Sequence, residues 1–271
     1  MMQTQLKGRV LVVAGSDSSG GAGLQADVKT LTAHGVYAAT AVTALTVQDT
    51  QDVYAVHETP SDVITGQIEK AMSDIGADVV KTGMLGGLEA CRAVIESLQK
   101  NAADVPWVVD PVMVSTSGVR LMDEEAINLI KAELIRYADI ITPNIPEAEA
   151  LTGLTIQNDD DLAHAAEMLL TLGSRAVLVK GGHMRGDTII DFLATDEGEF
   201  AYPGERLETQ STHGTGCTLA SAIAAGLAQG HSVKEAVERA RLYVRTAIRT
   251  APGYGAGAGP LNHVCNLHIG E

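Results

Sequence analysis

Short runs of Val, Ile, Leu and Ala alternate with longer segments of helical periodicity along nearly the whole chain, and this alternation confines the fold more than any other feature. Strands are predicted at residues 9–14, 39–45, 53–57, 78–82, 107–110, 139–142, 176–180 and 188–194. Helices are predicted at residues 23–34, 61–75, 88–100, 123–137, 159–172, 215–229 and 233–250. Thr59-Pro60-Ser61-Asp62 and Asn158-Asp159-Asp160-Asp161 mark helix starts, where acidic side chains suit the first turn. Gly35, Gly76, Gly173 and Gly230 mark helix ends. Strand–helix alternation calls for right-handed βαβ crossovers, hence an α/β fold of three layers, α/β/α, around a mostly parallel central sheet. Aromatic residues make up 3% of the chain and apolar residues 45%, so the core must be aliphatic, as in parallel strands covered on both faces. No Pro- or Gly-rich linker interrupts the chain, and residues 1–271 read as a single domain. In such sheets ligands collect at the carboxyl ends of the strands, so the residues that follow each strand are the candidates for function.

Charge narrows the partners. The chain has 19 Lys or Arg against 34 Asp or Glu, a formal charge of −15. That balance, with Lys and Arg scattered singly, argues against a nucleic-acid partner, whose phosphates need clustered positive charge. No apolar stretch approaches the ~20 residues of a membrane helix, and residues 1–8 lack the features of a signal peptide. Cys91, Cys217 and Cys265 are odd in number, far apart and without a CxxC pair. They point to a reducing compartment and exclude a cysteine-based zinc site, so a cytoplasmic protein with no membrane contact is expected.

Two glycine loops carry the chemistry. The first, Gly15-Ser16-Asp17-Ser18-Ser19-Gly20-Gly21-Ala22-Gly23, follows the first strand. Gly15 and Gly20 have P-loop spacing, but Gly21 and Ala22 stand where that motif needs Lys and Ser or Thr. Gly21, Gly23 and Ala26 match the dinucleotide fingerprint, yet they come too late after the strand. What remains is either a tight turn capping the next helix or backbone held open for a polar ligand. The second loop, His213-Gly214-Thr215-Gly216-Cys217, opens a helix of small residues. Free N–H groups and the helix dipole at such a start favour phosphate or a developing negative charge. The same position should lower the pKa of Cys217 and make it a usable base or nucleophile. Cys91 and Cys265 lie in ordinary contexts and read as structural. After later strands come Asn144 with Glu147, explicable as a helix cap, and Lys180, explicable as a lysine reaching solvent.

In order along the chain, these motifs resemble the ribokinase-like superfamily, and within it the hydroxymethylpyrimidine and phosphomethylpyrimidine kinases of thiamine biosynthesis. The resemblance rests on residues 14–27, Thr43-Ala44-Leu45-Thr46-Val47-Gln48, Lys81-Thr82-Gly83-Met84-Leu85, Asp110-Pro111-Val112-Met113, Thr142-Pro143-Asn144 with Glu147, Lys180-Gly181-Gly182-His183 and His213-Gly214-Thr215-Gly216-Cys217. It implies ATP-dependent phosphorylation of 4-amino-5-hydroxymethyl-2-methylpyrimidine and then of its monophosphate to the diphosphate. By resemblance, Gly214, Thr215 and Gly216 form the anion hole, and Cys217 stands where most sugar kinases of the superfamily carry an Asp base. Lys180 and Asn144 match ATP-binding positions, Glu147 matches a residue that orders magnesium and its waters, and Asp110 is a secondary candidate for the metal. Gln48 matches the side chain that reads the pyrimidine edge, its amide offering both donors and an acceptor. Gly15, Ala22, Val47, Met84 and Val112 would form walls around the ring. Asp27 reads equally as structural, and His213 could add positive charge near ATP. The resemblance further implies a homodimer. Pyridoxal kinases of the same branch share several of the motifs, so a pyridoxal or dual-specificity kinase is the rival expectation.

Overall fold

The computed structural model describes residues 6–113, 121–183 and 186–265. Strand β1 (Arg9–Ser16) shows how the aliphatic pattern becomes layers. Val10, Val12 and Ala14 face one hydrophobic cluster while Leu11 and Val13 face the other, as the two-residue period of a strand requires. Both faces are therefore covered. One side carries α2 (Ser61–Asp74), α3 (Leu88–Asn101), α4 (Glu124–Leu129), α5 (Ile145–Thr152) and α6 (Asp159–Leu170). The other carries α1 (Gly23–Ala33), α7 (Thr215–Ala228) and α8 (Val233–Arg249).

The remaining strands are β2 (Tyr37–Gln48), β3 (Val53–Glu58), β4 (Val79–Thr82), β5 (Trp107–Val109), β6 (Ile140–Ile141), β7 (Ala176–Val179), β8 (Thr188–Thr195) and β9 (Gly198–Glu205). They form a 9-stranded sheet in the order β3-β2-β1-β4-β5-β6-β7-β8-β9. From β2 through β1 and on to β7 the pairings are parallel, while β3, β8 and β9 join antiparallel at the two edges. The expected three-layer, mostly parallel architecture is therefore present. Chain order reverses between β1 and β4, and a crevice opens there at the strand carboxyl ends. Gly15 lies at its floor and donates its N–H to the Met84 carbonyl at 3.0 Å.

Three elements depart from the sequence expectation. Strand β9 is not predicted, because Gly198, Pro203 and Gly204 weaken its strand signal; as an edge strand it tolerates the proline. The helix expected over residues 123–137 divides into α4, a π-helical turn (Ile130–Leu134) and a 3-10 turn (Ile135–Tyr137). That change of pitch turns Ile130, Leu134 and Ile135 all into the core. Helix α5 is too short to carry a clear period, and its capping box is its main signal.

Beneath the crevice lies a buried ion pair. Lys81 on β4 donates two 2.9 Å hydrogen bonds to Asp27 on α1, and Ser221 on α7 donates to the same carboxylate at 2.7 Å. Both charged side chains have no solvent exposure. Burial works against the Lys81 charge, but the carboxylates of Asp27 and Asp110 outweigh it and hold the ammonium protonated. One triad thus ties the sheet to two helices. Lys81→Met should cost roughly 3–5 kcal/mol in chemical denaturation, because it strands a buried carboxylate. The double change Lys81→Met with Asp27→Leu should recover most of that loss; a single-variant cost below ~1 kcal/mol would show that the pair contributes no buried charge.

Candidate active site

A cavity of about 700 Å³ occupies the crevice. Its lining includes Gly15, Ala22, Gln48, Met84, Asp110, Val112, Asn144, Glu147, Lys180 and the whole Gly214–Cys217 segment, so residues far apart in sequence meet in one place. Val47 is not among them. The period of β2 turns Thr46 and Gln48 inward and leaves Val47 on the opposite face, 52% exposed, so the expectation that it walls the ring is corrected.

The first loop is organised by Asp17, which is 3% exposed. Its carboxylate accepts from Ser19 N–H at 2.8 Å, Gly21 N–H at 3.0 Å, Ala22 N–H at 2.7 Å and the Ser19 hydroxyl at 2.9 Å. His213 Nε2 lies 2.8 Å from the same carboxylate and joins the two glycine loops. Burial alone would raise the Asp17 pKa, but His213, Ala22 and Ser19 hold it down at about 2. Sequence reading noted Asp17 and His213 separately; nothing local could pair residues at such a separation.

The second loop approaches the first with no room to spare. Gly214 has φ +80°, and a Cβ there would stand 1.9 Å from the Gly21 carbonyl oxygen. Only glycine satisfies both the turn and the contact. Gly214 caps α7, and Thr215 anchors the turn by donating its hydroxyl to the Thr212 carbonyl at 3.1 Å. A Cβ on Gly216 would come within 3.1 Å of Lys180 Nζ and 3.5 Å of Asp110 Oδ2, so that glycine lets charged groups close on the helix start. Lys180 Nζ donates to Asp110 Oδ1 at 2.9 Å, and the Thr142 hydroxyl donates to the same oxygen at 3.0 Å. Lys180 therefore turns into the cavity wall instead of extending to the outer surface; its side chain is 14% exposed.

Asn144 and Glu147 form a capping box at α5. Glu147 N–H donates to Asn144 Oδ1 at 2.9 Å, and Asn144 N–H donates to Glu147 Oε2 at 2.8 Å. Their place in the cavity wall shows that the cap and a ligand role are compatible. Burial pushes the Glu147 carboxyl up to about 7, against the pull of Lys180. Among the described residues no three His, Cys, Asp or Glu side chains converge as a metal cage. Asp110 and Glu147 still fit magnesium in its usual mode, in which one or two carboxylates act with water and phosphate oxygens.

Cys217 departs from expectation. Burial pushes its thiol up to about 12, and Asp27 and Asp110 add to that effect against Lys81 and the Gly23 N–H. The predicted low pKa is therefore wrong: a desolvated thiol beside two carboxylates stays protonated, even with part of its surface open to the cavity. Cys91 is buried, as its structural reading implied.

The far end of the cavity holds residues that sequence reading missed. Val244, Arg245 and Ile248 project from α8, with Arg241 one turn before Arg245 and Arg206 opposite. Arg241 donates to Asp191 at 2.8 Å and Arg245 donates to the Glu205 carbonyl at 2.9 Å. Arg241 and Arg245, spaced four residues apart, share one face of α8. The glycine-rich segment also has a place. Gly257 N–H donates to Thr50 Oγ1 at 3.2 Å, while His213 N–H donates to the Gly259 carbonyl at 3.1 Å, so residues 253–260 tie the β2–β3 turn to the second loop.

Residues 17–262 match the phosphomethylpyrimidine kinase family. The chain is 45% identical to the thiamine biosynthesis bifunctional protein ThiED of Geobacter sulfurreducens, covering 95% of this chain but 52% of that longer protein. It is 42% identical to the hydroxymethylpyrimidine/phosphomethylpyrimidine kinase of Rhizobium meliloti, covering 93% of this chain and 96% of that one. Among solved structures it is similar to the pyridoxal kinase from Staphylococcus aureus in complex with AMP-PCP and pyridoxal, with TM-score 0.88, 34% identity and coverage of 96% and 95% of the two chains.

The raised Glu147 carboxyl has a measurable sign. Its pKa of about 7 in the folded chain exceeds its ordinary value of 4.5, so the native state binds the extra proton between those values. Folding stability contributed by this group is full below the ordinary value and falls as pH rises toward 7. Denaturation of Glu147→Gln across that range should lack this decline, and parallel curves for the two proteins would refute the assignment.

Proposed function

The chain belongs to the phosphomethylpyrimidine kinase family, and from that premise we propose how its cavity performs the family's two phosphoryl transfers. It is an ATP-dependent kinase acting on the hydroxymethylpyrimidine and then on its monophosphate in thiamine biosynthesis. One observation carries the assignment of the site: the Gly214–Cys217 helix start opens into the same cavity as Gln48, with Lys180 and Asp110 against it. Gly214, Thr215 and Gly216 present backbone N–H groups toward the transferring phosphoryl group. Lys180 neutralises phosphate charge, and Asn144 stands beside it at the cavity wall. Gln48 binds the pyrimidine edge, enclosed by Gly15, Ala22, Met84 and Val112. Arg245, Val244 and Ile248 face the donor end. Magnesium, held through Asp110 and Glu147 with water, would supply charge neutralisation on the phosphates. Positioning and electrostatics then account for most of the catalysis.

Greater identity to pyrimidine kinases, 42–45% against 34% for the pyridoxal kinase structure, favours the pyrimidine substrate over the pyridoxal alternative. We further propose a homodimer, supported by exposed Leu45, Val47, Tyr54 and Val56 on the β2–β3 edge. A cytoplasmic setting is supported by the free thiols of Cys91, Cys217 and Cys265, and the charge of −15 speaks against nucleic acid as a partner. No helix among the described residues is long and apolar enough to cross a membrane. ATP turnover with the pyrimidine alcohol, its monophosphate and pyridoxal tests the activity directly; turnover with pyridoxal alone would overturn it.

Gln48→Ala should weaken pyrimidine binding by about 1–3 kcal/mol in calorimetry, through the ligand groups it leaves unpaired, with ATP binding nearly unchanged. Unaltered pyrimidine affinity would remove Gln48 from this role. For Cys217, the two transfers make different demands. The alcohol must lose a proton, whereas the monophosphate already presents an anionic oxygen near neutral pH. We assign Cys217, in its thiolate form alone, as the base for the first, so Cys217→Ala should slow it by about 10²–10⁴-fold in single turnover at alkaline pH, where that thiolate forms, and the second far less. Because the resting thiol is protonated, the wild-type first transfer should also accelerate with rising pH, and the variant should lose that rise. Equal losses in both steps would make Cys217 a wall of the anion hole.

A further inference from the structure

Residues 255–263 cross the molecule as a strap, and two of its contacts reach the phosphate end of the cavity. A Cβ on Gly257 would stand 2.1 Å from the Thr50 carbonyl oxygen, so the strap begins backbone against backbone on the β2–β3 turn. Gly259 then donates its N–H to the Gln210 carbonyl at 3.0 Å and accepts from His213 N–H at 3.1 Å, and His213 pairs with Pro260 as a parallel bridge. The residues that lead into Gly214 are therefore held as one strand of a miniature ladder. Past this bridge the strap is fastened to α8. Asn262 N–H donates to the Ala247 carbonyl at 3.1 Å, one of the carbonyls that the end of a helix leaves without an internal partner. The Tyr243 hydroxyl donates to the His263 carbonyl at 2.7 Å.

These bonds fix the backbone of His263, and its side chain then makes one directed contact. Nε2 lies 3.1 Å from Thr218 Oγ1, and both side chains are buried. Thr218 follows Cys217 in the first turn of α7, the turn that also carries Gly216. A threonine inside a helix commonly returns its hydroxyl to the carbonyl four residues back. That carbonyl, of Gly214, already accepts the Thr218 N–H at 2.9 Å, and the hydroxyl meets the imidazole instead. Burial, with Lys29 nearby, holds the His263 pKa down at about 4, so the ring is neutral near pH 7 and supplies position but no charge. The two tie points, His213 and Thr218, are the residues immediately before and after Gly214–Cys217. His263 and Thr218 stand outside the cavity wall, so their influence on the reaction passes through the helix.

We propose that His263 is a positioning residue for phosphoryl transfer: through Thr218 it holds the first turn of α7, and with it the Gly214–Gly216 N–H groups, in place against the rest of the cavity. The inference rests on the reading of Gly214–Cys217 as the segment that meets the transferring phosphoryl group. It gives the glycine-rich strap a part in the reaction, because the ladder at Gly259 and the tie at His263 grip that segment from both sides.

The test compares single-turnover rates of both transfers with calorimetric affinity for the aminopyrimidine. His263→Leu and Thr218→Val, which keeps the side-chain shape without its hydroxyl, should each slow both transfers by about tenfold to a hundredfold, the order of loss for a misplacement near 1 Å. Pyrimidine affinity should be unchanged. The double variant should be no slower than either single one, because both break the same bond. His263→Gln, whose amide can reach the same hydroxyl, should restore most of the rate. Ser232→Ala removes the N-cap at the end of α8 away from the cavity and lowers stability, yet its rates should match wild type. Wild-type rates in Thr218→Val, additive losses in the double variant, no rescue by His263→Gln, or an equal slowing in Ser232→Ala would each overturn the proposal. A fall in pyrimidine affinity large enough to account for the slower rates would do the same. Thr218→Val and His263→Gln decide the question even if His263→Leu does not fold. Gly216→Val tests the reading beneath it, since a Cβ there would stand 3.1 Å from Lys180 Nζ. If that variant keeps both rates, the anion-hole assignment fails; if it is slow while Thr218→Val is not, only the positioning role fails.

Discussion

Two backbone loops, one after β1 and one before α7, touch so closely that neither admits a side-chain carbon at the contact. A Cβ on Gly214 would meet the Gly21 carbonyl oxygen at 1.9 Å, and one on Gly21 would meet His213 Cδ2 at 2.4 Å. Asp17 makes this contact specific, since its one carboxylate gathers N–H groups of the first loop and the imidazole of the second. The two loops thereby form one continuous stretch of the cavity wall. Phosphoryl transfer depends on such positioning, because the protein contributes little covalent chemistry to it.

Two lysines beside the cavity are each held by one aspartate: Lys81, fully buried, by Asp27, and Lys180, 14% exposed, by Asp110. Lys180 faces the helix start of α7, whereas Lys81 lies sealed beneath Cys217. Burial and the neighbouring carboxylates determine the state of that thiol. They outweigh the helix terminus, whose influence falls off within a turn and competes here with burial and two carboxylates.

Much of this was legible in the sequence. Alternation of apolar runs gave the layers and the parallel sheet, and Gly35, Gly76, Gly173 and Gly230 all have positive φ at or just beyond helix ends. The motif residues Gly15, Gln48, Met84, Asp110, Asn144, Glu147, Lys180 and Cys217 do converge on one cavity. Val47 failed because a motif match names a position and not a face, and the pleat turned it outward. Strand β9 failed because its glycines and proline obscure a pattern that pairing with β8 stabilises.

The sequence by itself determined the local chemistry: which segments become strands or helices, where glycine is required, and which polar groups are available at strand ends. These are properties of short stretches, set by side-chain period and backbone sterics. Tertiary structure decided what those groups do. The protonation of Cys217 and the raised carboxyl of Glu147 both depend on burial and on charges from distant segments. Asp17 and His213, for example, are 196 positions apart. Electrostatic energies depend on separation in space and on burial, and neither quantity exists until the chain has folded.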